Sequence, residues 1–477
     1  MTNRLILRRY LKHPAFRFAA VFLFLITLLY TISSYASEKP ALANYTSQIY
    51  PSNADAFDVY QQLREKILAN TVELDDLQAF EVIIKDKKDL EKIRKTLDLT
   101  NYNKNHESLY SLLIKASPST EILYHYLREQ ITMILERADH KNKWRASYYA
   151  WAWAYSARAA ILAYLASNEL RFLDLVVSSY DTILQFRDST RNRVDEVRGR
   201  VLYSWGYSRN TNGKWTNVIS VAGRITYPIS VFCRIVFDNE KLHPKYLNKA
   251  KVYLKSIEMA LAEFKEDFRT IPDSGEGYYW SPSRGVVEPL NHAHAAGNTL
   301  VMLYSITGKE EYKRMAEQIA RYFISSIKVQ KNGSYVWGYQ PTPENRKSHV
   351  PEAIWKGQIT ISFPILAYKY GIIFKKEHMI SFSNTFLENI CIGNNSFNST
   401  VGSERKEPLV HKKGLGSRNL RLFGWIFLDI FAPEIRAILE NAMAARLDLF
   451  PGGWFQHPVT AQAYGYRLHK LQWGSNE

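Results

Sequence analysis

Residues 291–328, NHAHAAGNTLVMLYSITGKEEYKRMAEQIARYFISSIK, read as two helices, 291–306 and 309–328, that meet at Thr307-Gly308. Apolar residues recur at helical spacing with little strict alternation, and so short a joint makes the two helices antiparallel neighbours. The same reading extends both ways along the chain. Helices 142–166 and 168–187 join at Ser167-Asn168, and helices 217–238 and 243–268 join around Asp238-Asn239. Residues 351–374 pair with 376–391, and 418–430 pair with 432–447, whose start is set by Pro433. Upstream, a pair is expected over 56–96, where Phe57, Tyr60, Leu63 and Ile67 share helical spacing. A further element spans about 106–137 and is interrupted at Pro118, where Ser117 or Ser119 can cap the restart.

Between the pairs lie long segments rich in Gly, Trp and Tyr: 189–216, 269–290, 329–350, 392–417 and 448–477. Loops this long are uncommon unless functional. Every pair starts and finishes at the same end of the bundle, so the five loops gather there. Pair starts near 142, 217, 291, 351 and 418 set an architectural period without sequence identity. The expected fold is all-α: an (α/α)6 toroid of helical hairpins over 56–477, with the aromatic loops around a cleft. An open helical solenoid is the alternative.

The N-terminus carries a different signal. Arg4, Arg8, Arg9, Lys12 and Arg17 precede an uncharged run, Phe18 to Ala36, and no acidic residue occurs before Glu38. The run approaches the ~20 residues a helix needs to cross a bilayer. Positive charge on that flank alone places the N-terminus in the cytoplasm and residues 37–477 outside, for instance in a periplasm. The expected organisation is a basic segment 1–17, a signal-anchor 18–36, a linker 37–55 and the toroid. Ser34-Tyr35-Ala36 also suits a signal peptidase, and cleavage after Ala36 would release a secreted protein. Two cysteines, Cys233 and Cys391, make no disulfide framework, and no Cys/His spacing resembles a zinc site, so neither metal nor cofactor is expected. A formal charge of +16 fits an acidic glycan, an anionic membrane or nucleic acid. The extracytoplasmic address argues against nucleic acid.

The stretch Asn291 to Asn298, followed by Leu303-Tyr304-Ser305-Ile306-Thr307-Gly308-Lys309 and then Glu311-Tyr312-Lys313, resembles a hairpin of (α/α)-toroid carbohydrate-active enzymes. Tyr335-Val336-Trp337-Gly338-Tyr339, followed by Ser348-His349, resembles a cleft loop of such proteins. The resemblance is strongest over 275–370 and nearest to uronate-acting members, alginate-lyase-like and glucuronyl-epimerase-like. It implies an acidic polysaccharide as partner. Two departures stand against the multidomain lyases. Too few residues follow 448 for a β-sandwich, and Asn291-His292 only approximates their Asn-Asn-His motif.

Three loops supply candidate site residues. Tyr279 and Trp280 lie in the loop 275–290, and Asn291, His292 and His294 in the first helix turn after it; Trp337, Tyr339, Arg346, His349, Glu352 and Trp355 lie around 351; and Trp205, Tyr207 and Trp215 precede 217. His292 and His294 diverge by about 200° on a helix and cannot share a face. A uronate lyase or C5-epimerase neutralises the sugar carboxylate and moves the C5 proton with His or Tyr. His292, His294, Tyr339 and His349 are the candidates for proton transfer, and the others for binding. Aromatic faces suit sugar rings but equally suit a core. A glycoside hydrolase would instead need two carboxyls about 5–9.5 Å apart, drawn from Glu276, Glu288, Glu344 and Glu352. A non-catalytic glycan-binding or assembly subunit would keep the cleft without the chemistry.

Overall fold

The computed structural model describes residues 120–140, 145–208, 211–347, 350–393, 396–402 and 419–445. The expected anchor, the linker, the pair over 56–96 and the last loop lie outside these residues.

Among the described residues, helix α1 (Thr120–His140) precedes five hairpins. The first opens with α2 (Arg145–Tyr148), widens into a π-turn (Tyr149–Trp153) and continues as α3 (Ala154–Ser167). Asn168 stops it in the left-handed conformation, φ 58°, its N–H returning to the Tyr164 carbonyl, a terminus that Asn tolerates better than a branched residue. The partner helix is α4 (Leu170–Leu184). Next come α5 (Ile219–Asp238) with α6 (His243–Ala262), and α7 (Leu290–Thr307) with α8 (Glu310–Ser326). Gly308 ends α7 at φ 67°. The last two are α9 (Ile354–Lys369) with α10 (Lys376–Asn384), and a 3-10 helix (Asn419–Leu428) with α11 (Glu434–Ala445). The helix starts agree with the sequence reading to within about three residues, although α6, α9 and α10 end five to seven residues before the expected bounds and 418–430 forms a 3-10 rather than an α-helix.

The two helices of a hairpin differ in burial. Second helices are one-sided: α8 buries Tyr312, Ala316, Ile319, Ala320 and Phe323, the i, i+4, i+7, i+8 stripe of a surface helix. First helices are buried nearly all round, as in α7 from Ala293 to Leu303. They pack in chain order, α3 on α5, α5 on α7, α7 on α9 and α9 on the 3-10 helix. The row curls back on itself. Gln358 of α9 donates to the Tyr155 hydroxyl of α3 at 3.4 Å, and the Arg158 guanidinium lies between the rings of Tyr227 and Phe427 at 4.7 and 5.0 Å.

The tightest crossing is α5 on α7. A Cβ on Gly223 would stand 2.5 Å from the Ala296 amide nitrogen, and the Thr226 and Thr299 hydroxyls meet one turn later at 3.0 Å. Gly223→Ala should therefore push these helices apart and cost about 3 kcal/mol or more. A chemical-denaturation midpoint equal to wild type would contradict that packing.

The inter-hairpin loops are not the plain loops expected of an all-α chain. Among the described residues they form short antiparallel ribbons: β1 (Val194–Asp195) with β2 (Arg200–Val201), and β3 (Gly206–Tyr207) with β4 (Thr216–Asn217). Further ribbons are β5 (Phe268–Ile271), β6 (Glu276–Ser281) and β7 (Val286–Val287); β8 (Ile327–Val329) with β9 (Tyr335–Trp337); and β10 (Cys391–Gly393) with β11 (Ser396–Phe397). Each lies before the N-terminus of a first helix, so the ribbons collect at one end. Cys233 is buried and unbridged, and Cys391 is also free.

Candidate active-site cleft

α7 begins at Leu290 with Pro289 as its N-cap, so Asn291 does not cap the helix but sits buried in its first turn. The divergence of the two histidines is observed. His294 is completely buried, its Nδ1 2.6 Å from the Thr360 carbonyl and its ring packed against Phe323 and Phe363. Burial holds it near pKa 4, and therefore neutral. It cannot reach a substrate, which corrects its assignment as a catalytic residue.

His292 turns the other way. Its Nδ1 lies 2.5 Å from Glu288 Oε2, its ring 6.2 Å from Trp151 of the π-turn, and its side chain keeps 17% exposure. Glu288 is 4% exposed and also accepts from Arg284 at 2.7 Å. Burial alone would raise the Glu288 carboxyl, but His292, Arg284 and Ser281 outweigh it and hold the group near 2. A carboxylate held at Nδ1 orients the ring so that Nε2 points away from Glu288. Because Glu288 falls from 4.5 on folding, its stabilisation is complete above that pH and is lost as pH drops toward 2. Melting temperature should fall over this window, and Glu288→Gln should flatten the fall. An unchanged acid limb in that variant would contradict the assignment.

The loop carrying Tyr339 is laced to the loop carrying Glu288. The Leu290 amide donates to the Tyr339 carbonyl at 3.2 Å, and Gln340 Nε2 donates to the Val287 carbonyl. Tyr339 is half-buried under the Lys356 ammonium, 3.3 Å from its ring centre, and Lys356 lies 5.1 Å from the partly exposed Trp355 ring. Burial, with the nearby Glu352, Glu288 and Tyr207, pushes the Tyr339 phenol up to about 12, opposed by Arg284. Tyr339 therefore stays protonated at neutral pH and is a donor rather than a base. Tyr207 of β3 is buried and lies near enough to add to the rise of the Tyr339 phenol. Helix starts, ribbons and loops thus bring Tyr207, Arg284, Glu288, His292, Tyr339 and Lys356 together, with Trp151 and Trp355 alongside.

Other expected binding residues are elsewhere. Trp337 is 1% exposed among Phe323, Phe382 and Trp425, and its indole donates to Glu352 at 2.6 Å. Trp205 donates to the Ile183 carbonyl at 3.0 Å, and Tyr279 packs edge-on against Phe268, each 1% exposed. Trp215 donates to buried Asp188 at 3.0 Å with Arg193 across its ring, and Arg269 covers Trp280. Arg346 pairs with Glu276 at 2.7 Å. Trp205, Trp215, Tyr279 and Trp337 have no face open to a sugar, which corrects their assignment. Glu352 has no exposed surface; burial raises it to about 7, against the pull of Trp337, Thr360 and Lys356. Its geometry is that of a support: the carboxyl accepts from Trp337, the last residue of β9, two residues before Tyr339. His349 lies outside the described residues. The sequence reading named no role for Arg284, Lys356 or Trp151.

No family model matches the chain, and no curated protein matches it. Among solved structures it is similar to the GH76A α-1,6-mannanase of Salegentibacter sp. HEL1_6, at 13% identity over 74% of this chain and 99% of that one, TM-score 0.45. An inactive variant of that mannanase with α-1,6-mannotriose gives the same figures. An unsaturated glucuronyl hydrolase of Streptococcus agalactiae is similar at 13% identity over 67% of this chain and 81% of that one, TM-score 0.41. Likeness this distant leaves the chemistry to the residues themselves.

Proposed function

We propose that the chain is a membrane-anchored (α/α)6 toroid acting on an acidic polysaccharide, by elimination or epimerisation at a uronic acid. The observation that carries this reading is the Glu288–His292 pair beside the Tyr339 phenol. His292 Nε2 takes the C5 proton, while Glu288 fixes the ring and stabilises the imidazolium that forms. Tyr339, kept protonated, gives its proton to the leaving oxygen in elimination or to the opposite face in epimerisation. Arg284 and Lys356 bias the site toward anions.

Incubating full-length protein in detergent with uronic-acid polymers tests this. The expected products are chains ending in an unsaturated sugar, or chains of inverted C5 configuration. A second reading, glycoside hydrolysis, is favoured by the contrast between Glu288, near 2, and Glu352, near 7. The burial of Glu352 weighs against it. New reducing ends with neither unsaturation nor inversion would select that reading.

The charge asymmetry of residues 1–36 supports an extracytoplasmic cleft. A reporter active only in the cytoplasm, fused after Glu477, should stay silent; a strong signal would overturn this topology.

A further inference from the structure

Behind His292, where α5 and α7 meet the π-turn, the packing is unusually polar. The close crossing at Gly223 carries the next residue, Arg224, against the π-turn Tyr149–Trp153. Its Nε donates to the Ala150 carbonyl at 3.2 Å, and its guanidinium lies 4.1 Å from the Tyr155 ring centre and 5.7 Å from that of Trp151. Trp151 is the same ring that faces His292. A π-turn shifts the backbone hydrogen-bond register, and such turns concentrate at functional sites. Arg224 remains 8% exposed.

Two buried polar groups on α5 and α7 are unsatisfied. Asn291 is 2% exposed, and its Oδ1 is buried without a hydrogen-bond partner. On α7 the residues Ala296 and Thr299 face Gly223 and Thr226 of α5, whereas His294 and Gly297 face Thr360 and Phe363 of α9. At 100° per residue, Asn291 falls between these two faces, toward the axis that the first helices enclose. Ser220 precedes Arg224 by one turn on the same face of α5, and its Oγ is likewise buried and unpartnered. Buried polar atoms without partners are costly, and a bound polar ligand removes that cost.

We propose that Arg224, with Asn291, forms the subsite that receives the carboxylate of the sugar. The guanidinium pairs with the carboxylate, while the Asn291 amide takes an oxygen or hydroxyl next to it. The carboxylate is thereby held behind His292, with C5 directed at Nε2. This rests on the acidic-glycan reading above and specifies what reads the acid. Arg224 is a specificity residue, and the sequence offered no motif for it.

The test is equilibrium binding of full-length protein in detergent to hexasaccharides of polymannuronate, polyguluronate and heparosan. Each is compared with its counterpart whose carboxyls are reduced to alcohols. Wild type should prefer at least one acidic oligosaccharide by ~10-fold or more, the scale of a charge-assisted hydrogen bond. Arg224→Gln should abolish the preference while leaving affinity for the reduced sugar within about 3-fold. Because Arg224 packs on Tyr155, the glutamine variant can misfold. Asn291→Asp changes little in size, places a like charge beside the carboxylate, and should cut acidic affinity by ~10-fold. An undiminished acidic preference in the folded variants overturns the subsite. Absence of any preference in wild type overturns the acidic-glycan reading itself.

Discussion

Replacing His292 by Gln should lower turnover of a uronic-acid polymer roughly 10²–10⁴-fold, the range for removing a positioned general acid or base. The Michaelis constant should change little, because Arg224, Trp151 and Lys356 are untouched. The fold should survive. His292 is partly exposed, and Glu288 retains its bond from Arg284. Losing one hydrogen bond to that carboxylate should cost about 1–2 kcal/mol. Tyr339→Phe should give a comparable loss in turnover with an unchanged melting temperature, since Lys356 still caps the ring. Near-wild-type turnover in folded His292→Gln protein would remove His292 from the chemistry.

Trp337→Ala should behave in the opposite way, losing about 4 kcal/mol of stability. The ring is enclosed by Phe323, Phe382 and Trp425, and its indole satisfies one oxygen of a carboxyl with no exposed surface. Truncation would leave a large cavity and strip Glu352 of its donor. Any loss of glycan affinity should track the fraction unfolded. If Trp337→Ala keeps wild-type stability and loses only affinity, the ring faces ligand after all, and the described packing is wrong.

The hairpins were legible because helical spacing over about 20 residues is a long, redundant signal, and Thr307-Gly308 or Ser167-Asn168 punctuates it unambiguously. The ribbons were not. Strands such as Val286–Val287 are too short for alternation to register, and turn glycines such as Gly285 and Gly333, at φ 65° and 77°, fit loops as well as ribbons.

The site was half legible. The opposite facing of His292 and His294 follows from helix geometry alone. Which of the two keeps some exposure did not, because it depends on α9 covering His294. Aromatic residues misled for a similar reason: a Trp in a Gly-rich loop can stack on a sugar or close the core, and Trp337, Trp205 and Trp215 do the latter. Arg284, Glu288 and His292 stand four apart, a spacing that would have grouped them on a helix. A strand and Pro289 lie between them, so only tertiary structure explains their meeting. Arg224 was hidden inside an apolar helix, and its meaning appears only where Gly223 lets α5 and α7 touch.

The most direct test of the central claim follows the C5 hydrogen itself. A uronic-acid polymer labelled with deuterium at C5 is incubated with full-length protein in ordinary water, and label in the sugar and in the solvent is measured. Proton abstraction by His292 predicts that deuterium leaves C5 for water, whether the outcome is elimination or epimerisation, and that His292→Gln suppresses the release. Cleavage of the polymer with all of the deuterium still on C5 would contradict the account.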